Sequence, residues 1–133
     1  MRLLVTGASG FIGRALVNRL SAAGADVFGL ALEQDINHSP VSAADRPTLQ
    51  AELFPIDLRQ AEARAQAIAR IQPEQVVHLA AAGVTNPAID PAVALGHNTQ
   101  GSLNLLNACF QNPNLGSTPR KLIVIRTPGE SKP

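Results

Sequence analysis

Short apolar runs alternate along the chain with longer stretches in which apolar residues recur at helical spacing. The runs are typical of strands buried on both faces, and they lie at residues 3–5, 27–32, 53–56, 76–79 and 121–125. The helical stretches lie at residues 11–23, 60–72 and 92–111. This alternation predicts an α/β fold, a doubly wound parallel sheet of about five strands joined by right-handed crossovers.

Two interruptions refine this pattern. Residues 33–50 are polar and contain two prolines, which predicts a long loop or a small helical excursion. Pro55 falls inside the third apolar run, which predicts an edge strand or a local irregularity. The apolar face of the first helix is expected to contain Phe11, Ala15, Leu16 and Leu20.

The composition is that of a globular domain and argues against several classes of protein. Apolar residues make up 45% of the 133 residues, charged residues 16%, and the net charge is +1. Nothing in this balance favours nucleic acid or an anionic membrane as a partner. A single cysteine excludes an internal disulfide framework. The N-terminal apolar run is too short for a signal peptide or a membrane span, so the default expectation is a cytoplasmic protein.

A glycine-rich loop separates the first predicted strand from the first predicted helix. Residues 6–13 read TGASGFIG. Gly7 permits a tight turn off the strand, Gly10 allows a pyrophosphate to approach the backbone, and Gly13 allows the helix to pack close to the sheet. Free N–H groups and the helix dipole at the start of the helix favour the phosphates.

The spacing of this loop leaves a second interpretation open. It reads G-x-x-G-x-x-G instead of the commoner G-x-G-x-x-G, and a glycine triplet is also compatible with a purely structural loop. The strand before it and the helix after it are the context that a dinucleotide-binding motif requires, so we favour dinucleotide binding.

Together with four later landmarks, this loop resembles the extended short-chain dehydrogenase/reductases, the NAD-dependent epimerase/dehydratase family. The resemblance covers residues 1 to about 127, and the polar residues 128–133 lie beyond it. The landmarks are the Asp57-Leu58 pair, the HLAA motif at residues 78–81, the NTQGSLNLL helix at residues 98–106, and the strand ending at residues 125–127. The resemblance implies an NAD(P)-binding Rossmann domain.

The resemblance also implies roles for individual residues. In the family, the carboxylate at the position of Asp57 contacts the adenine amine, and the motif of residues 78–81 lies along the cofactor. A Ser or Thr at the position of Thr127 hydrogen-bonds the reacting oxygen. The cofactor-binding residues implied are Gly7, Ser9, Gly10, Phe11, Ile12, Gly13, Glu33, Asp57, Leu58, Leu79, Ala80, Ala81 and Asn98.

The choice between NAD and NADP depends on the end of the second strand. NAD-binding folds place an acid there for the ribose 2′-hydroxyl, and NADP-binding folds often place an arginine there. The family position falls on Ala31, and Glu33 follows two residues later. No arginine is near, so NAD is favoured and NADP stays open. Glu33 on an exposed loop is the alternative.

Several of these residues also have ordinary structural interpretations. Asp57 is a suitable N-cap for the following helix, and Asn98 is suited to holding a loop by side-chain hydrogen bonds. Thr127 is compatible with the start of the tail. His78 is expected to be a hydrogen-bonded core residue and Cys109 a small buried hydrophobe. No metal-ligand spacing is present, and the other two histidines, His38 and His97, are expected at the surface.

The chemistry that the resemblance implies is incomplete in these residues. The family transfers hydride with a Tyr as acid/base and a Lys four residues later, about two dozen residues after the Ser/Thr position. The chain contains no Tyr, and its lysines are Lys121 and Lys132. We therefore expect a sheet truncated after strand five, with no C-terminal substrate domain and with residues 122–125 as an exposed apolar edge.

Two hypotheses of function follow. The first is the NAD-binding part of an epimerase, dehydratase or reductase that acts on a small-molecule substrate such as a nucleotide sugar, inactive by itself. The second is a non-catalytic dinucleotide-binding sensor or partner subunit. The resemblance further implies that the helix at 92–111 takes part in a homodimer interface.

Overall fold

Five parallel strands form one sheet in the order β3-β2-β1-β4-β5. The computed structural model of the protein describes residues 1–37, 51–83, 88–117 and 119–125. The strands are β1 (Arg2–Thr6), β2 (Asp26–Ala31), β3 (Glu52–Pro55), β4 (Gln75–His78) and β5 (Lys121–Val124). Every neighbouring pair is parallel. The predicted α/β fold with a doubly wound parallel sheet is confirmed.

Helices connect these strands. They are α1 (Phe11–Ala22), α2 (Glu33–Asn37), α3 (Ala61–Ile71), α4 (Pro91–Leu95) and α5 (Gly101–Phe110). The short helix α2 confirms a helical excursion at the start of residues 33–50, and residues 38–50 lie outside the described part. Across the described ranges, we find no helix that is both long enough and apolar enough to cross a membrane.

A π-helical turn at Gly96–Gln100 joins α4 to α5. The periodicity of residues 92–111 predicts one uninterrupted α-helix, and this prediction missed the turn. A π turn inserts one extra residue into the helix, and such insertions often lie at functional sites. Here the turn packs beside the segment that follows β3, since a Cβ on Gly96 would lie 3.7 Å from the Arg59 Cδ.

The two faces of the sheet carry separate apolar clusters. One cluster packs Leu4 of β1 against Ile68 of α3 and Leu105 of α5. The other packs Leu3 and Val5 of β1 against α1. Successive residues of a strand point to opposite faces, so β1 is buried on both sides, as its continuous apolar run predicts.

The predicted apolar face of α1 was partly wrong. Phe11 is 90% exposed and Ala15 is exposed, whereas Gly13 and Val17 are buried. A helix turns by about 100° per residue, so a helix that presses Gly13 against the loop before it directs Phe11 to nearly the opposite side.

Both edges of the sheet agree with the sequence. Among the residues that the structure describes, β3 pairs with β2 alone, and Pro55 is its last residue, so the edge position that Pro55 predicts is confirmed. At the other edge, Val124 and Ile125 are 52% and 55% exposed. Within the described residues β5 pairs with β4 alone, as expected for an apolar edge strand.

Candidate functional site

The chain reverses its direction of travel across the sheet between β1 and β4. From β1 it proceeds outward through β2 to β3, and from β4 it proceeds outward to β5 on the other side. In open α/β sheets, ligands bind at the carboxyl ends of the strands where this reversal occurs. The glycine loop after β1 and residues 79–81 after β4 are therefore neighbours at the expected place for a cofactor.

Gly7 and Gly13 make close contacts that exclude a side chain. Gly7 has a φ of +68°, and a Cβ there would lie 2.8 Å from the Ala80 backbone nitrogen. A Cβ on Gly13 would lie 2.1 Å from the Gly7 carbonyl oxygen and 2.8 Å from the Ala8 Cα. The predicted tight turn at Gly7 is confirmed. Gly13 allows α1 to pack closely, but the atoms it meets belong to the loop after β1 and not to the strands of the sheet.

Gly29, in the middle of β2, supports the same loop and was not singled out in the sequence. A Cβ on Gly29 would lie 2.5 Å from the Leu53 Cδ2 and 2.7 Å from the Ala8 Cβ. Ala8 therefore lies directly against β2, where its backbone N–H donates to the Leu30 carbonyl at 3.3 Å. A lone glycine inside an apolar strand indicates such a close approach.

The start of α1 carries unsatisfied donors and positive potential. Its N-cap, Gly10, makes no side-chain capping bond, and the first turn contains no acidic residue. Gly10, Phe11 and Ile12 are exposed, whereas Ser9 is buried. A Cβ on Gly10 would meet the Gly7 carbonyl oxygen at 3.3 Å. The first N–H groups of a helix and its dipole attract phosphates, so this cradle fits a pyrophosphate.

A buried hydrogen-bond chain ties the ends of β1 and β4 to α5. Thr6 Oγ1 lies 2.6 Å from His78 Nδ1, and His78 Nε2 lies 2.8 Å from Ser102 Oγ. The Ser102 hydroxyl donates to the Asn98 carbonyl, so it accepts from His78 Nε2–H. His78 Nδ1 is then the acceptor of the Thr6 hydroxyl proton, which assigns the neutral Nε2–H tautomer.

The same threonine holds the loop that follows β4. Thr6 Oγ1 accepts from the Leu79 N–H at 3.3 Å and the Ala80 N–H at 3.2 Å. Burial lowers the pKa of the His78 imidazole, which favours the neutral ring. The prediction of His78 as a hydrogen-bonded core histidine is confirmed, whereas its partners Thr6 and Ser102 were missed.

Asn98 fixes the loop beyond β4 by two hydrogen bonds. Its Oδ1 accepts from the Ala82 N–H at 2.7 Å, and its Nδ2 donates to the Ala82 carbonyl at 3.0 Å. The interpretation of Asn98 as a residue that holds a loop is therefore confirmed. Because Ala82 directly follows Ala81, Asn98 positions the segment that the resemblance places along the cofactor.

Asp57 lies at the carboxyl end of β3 and pairs with Arg59. The Arg59 Nη2 is 2.6 Å from Asp57 Oδ2, and the Arg59 N–H donates to Asp57 Oδ1 at 2.9 Å. This guanidinium bond lowers the pKa of the Asp57 carboxyl. The alternative of Asp57 as the N-cap of α3 is wrong, because Gln60 holds that position. Asp57 instead stabilises the turn between β3 and α3.

The remaining predicted residues are less engaged. Glu33 is exposed and begins α2, two residues past the end of β2. His97 is half-buried, and Cys109 is fully buried as predicted. Thr127 and His38 lie outside the described residues. Over the ranges that the structure covers, no three His, Cys, Asp or Glu side chains gather in a way that could hold a metal ion.

Comparisons with known proteins identify relatives of this chain. The UDP-glucose 4-epimerase of Mycolicibacterium smegmatis is 34% identical over 116 residues, which are 81% of this chain and 34% of that protein. The structure of the Thermus thermophilus UDP-glucose 4-epimerase in complex with NAD matches 84% of this chain and 34% of its own, with 34% identity and a TM-score of 0.64. The chain thus spans about a third of the length of these relatives.

A third relative extends the likeness. The UDP-glucose 4-epimerase of Thermotoga maritima, solved with UDP-glucose, is 27% identical, has a TM-score of 0.70, and is matched over 93% of this chain and 37% of its own. The family model for NAD-dependent epimerases and dehydratases matches residues 3–129. This match covers nearly all of the sequence, including the glycine loop and β5, so the chain belongs to the NAD-dependent epimerase/dehydratase family.

Proposed function

We propose that these residues bind NAD and form the cofactor-binding part of an epimerase, dehydratase or reductase that acts on nucleotide sugars. The observation that carries this proposal is the uncapped start of α1 beneath the glycine loop, with no acidic side chain in its first turn. The family is NAD-dependent, and bound NAD supplies a hydride acceptor in its nicotinamide ring.

Taken in the order of the chain, each group of predicted site residues is proposed to contact one part of the cofactor. Residues 7–13, with Ser9, Phe11 and Ile12 between the glycines, would bind the pyrophosphate through backbone N–H groups. Glu33 would accept a hydrogen bond from the adenosine ribose, and Asp57 with Leu58 would lie against the adenine. Leu79, Ala80 and Ala81, held by Thr6 and Asn98, would line the path towards the nicotinamide. Thr127 is proposed to hydrogen-bond the reacting oxygen.

The proposed chemistry needs a proton donor that these residues do not include. The family acid/base is a tyrosine, and the chain contains none. We therefore expect the isolated 133-residue chain to bind NADH without converting UDP-glucose. Detectable epimerisation by the purified chain would contradict this expectation, while a failure to bind NADH would contradict the proposed function itself.

NADH binding should depend on Gly10. Gly10→Val places a branched side chain where the phosphates would approach, so we expect affinity for NADH to fall at least ~10-fold in a fluorescence titration. Ala15→Val adds the same side chain on the exposed part of α1 and serves as the control, with unchanged affinity. Equal NADH affinity in both valine variants would show that the glycine loop does not contact the cofactor.

NADPH should bind more weakly than NADH, because the Glu33 carboxylate repels a 2′-phosphate.

We also propose that the chain forms a homodimer through α5. Leu103, Leu106 and Phe110 are 50%, 40% and 45% exposed and lie at i, i+3 and i+7 spacing on one side of this helix. Leu103→Lys combined with Leu106→Lys is expected to convert a dimer into a monomer, as measured by light scattering. Arg19→Glu, on α1 across the sheet, should leave the mass unchanged. A monomeric wild-type chain would refute the dimer.

A further inference from the structure

Arg64 occupies a position where an apolar residue is expected. It shares the buried side of α3 with Ala67, Ile68 and Ile71, at i, i+3, i+4 and i+7 spacing, and it is 5% exposed. Its Nη1 donates to the Leu58 carbonyl at 2.6 Å. Its Nε has no hydrogen-bond partner in the described part of the chain. A buried guanidinium with few acceptors is costly.

The protein supplies no counter-ion for this charge in the residues that the structure describes. The ion pairs found there join Arg59 to Asp57 and Arg70 to Glu52. Cys109 lies close to Arg64, but burial raises the pKa of its thiol to about 11, so it is neutral at physiological pH. The buried positive charge is therefore uncompensated, a state that is strongly destabilising unless an anion joins it.

An opening of about 410 Å³ lies beside Arg64, between α3 and α5. Arg64 lines it, together with the exposed residues Asn107 and Gln111, whose amide groups contain hydrogen-bond donors. The start of α3 also borders the opening, and its N-cap makes no side-chain hydrogen bond. The opening therefore combines a cation with neutral donors and has the volume for a small organic acid.

We propose that this opening is a binding site for a small carboxylate, with Arg64 as its charged anchor. Because Nη1 is engaged by Leu58 and Nε is enclosed within the protein, Nη2 is the guanidinium nitrogen left for a charge-assisted hydrogen bond to a carboxylate. Glu62 is exposed on the rim, where its negative charge disfavours a phosphate dianion more than a carboxylate monoanion. The site lies across the sheet from α1 and does not depend on NAD binding.

Anion-dependent thermal stability tests this site on the whole chain. At constant ionic strength, replacing sodium chloride with sodium acetate should raise Tm by about 4 °C or more, because a ligand that binds only the native state stabilises that state by mass action. The rise in Tm should level off at high acetate concentration. The rise should be absent in Arg64→Met, which keeps the length and apolar stem of the side chain. Arg70→Met removes an exposed arginine of the same helix and should keep the full rise.

Two further results decide the ligand class and the location. A larger rise with phosphate than with acetate would overturn the preference for a carboxylate, and a rise that survives in Arg64→Met would overturn the site. Since Arg64→Met risks misfolding, Asn107→Leu with Gln111→Leu alters the rim of the opening and leaves the buried Arg64 in place. That double variant should weaken apparent acetate affinity at least ~5-fold with an unchanged circular dichroism spectrum, and unchanged affinity would also overturn the site.

Discussion

Replacing Gly13 with alanine is expected to lower the free energy of unfolding by about 3 kcal/mol, at the upper end of overpacking effects. The new Cβ would lie 2.1 Å from the Gly7 carbonyl oxygen and 2.8 Å from the Ala8 Cα. Both neighbours are backbone atoms of a loop that Ala80 and β2 hold in place, so moving them to relieve the clash would cost free energy. Denaturant unfolding followed by circular dichroism measures the loss.

Gly10→Ala is the matched control in the same loop. Its Cβ would meet the Gly7 carbonyl oxygen at 3.3 Å, a contact that a small backbone shift relieves. Since alanine is a poorer N-cap than glycine, a cost below about 1 kcal/mol is expected. A Gly13→Ala protein as stable as Gly10→Ala would show that α1 does not press on the loop as described.

The fold was predictable because its information is local. Apolar runs and helical periodicity specify strands and helices directly, and the handedness and adjacency rules leave few ways to arrange them. The role of Gly7 as a turn was equally local, since it follows β1 and precedes α1. Pro55 identified an edge strand because a proline removes a donor that a central strand needs.

The parts that were missed depend on contacts between distant segments. Thr6 meets His78 because β1 and β4 pair in the register that aligns these two residues, and a single sequence does not reveal that register. The contact between Gly7 and Ala80 has the same origin. The residues within the candidate site were named from the loop and the family motifs, but the threonine and serine that hold them were not.

Arg64 and the π turn were missed for other reasons. Arg64 stands in line with Ala67, Ile68 and Ile71, so the spacing of α3 did contain evidence for its burial, although an arginine is normally read as a solvated residue. The π turn at Gly96–Gln100 includes no apolar side chain, so its residues contribute no position to the helical periodicity. Periodicity therefore could not distinguish it from a regular helix.

Thr6→Val is expected to cost about 3 kcal/mol of unfolding free energy, although valine matches threonine in shape. The hydroxyl donates to His78 Nδ1 and accepts from the Ala80 N–H, and each buried partner left unsatisfied costs roughly 1–3 kcal/mol. Thr6→Ser keeps the hydroxyl and should recover most of the loss. A Thr6→Val protein as stable as the wild type would show that these hydrogen bonds do not stabilise the fold.

The pH dependence of stability tests the neutral His78 in the same hydrogen-bond chain. Burial lowers the pKa of His78 in the folded protein, whereas an unfolded histidine titrates near pH ~6.5. Below that pH the unfolded chain binds a proton at His78 that the folded protein does not bind. The free energy of unfolding therefore falls as the pH is lowered, until the pH reaches the pKa of His78 in the folded protein. Above the pKa of the unfolded histidine, His78 makes no contribution to the pH dependence. His78→Gln should remove this part of the slope, measured as the difference between wild-type and variant urea unfolding from pH 8 to pH 5. An identical slope in both proteins would mean that His78 takes up its proton equally well when folded, contrary to an imidazole buried between Thr6 and Ser102.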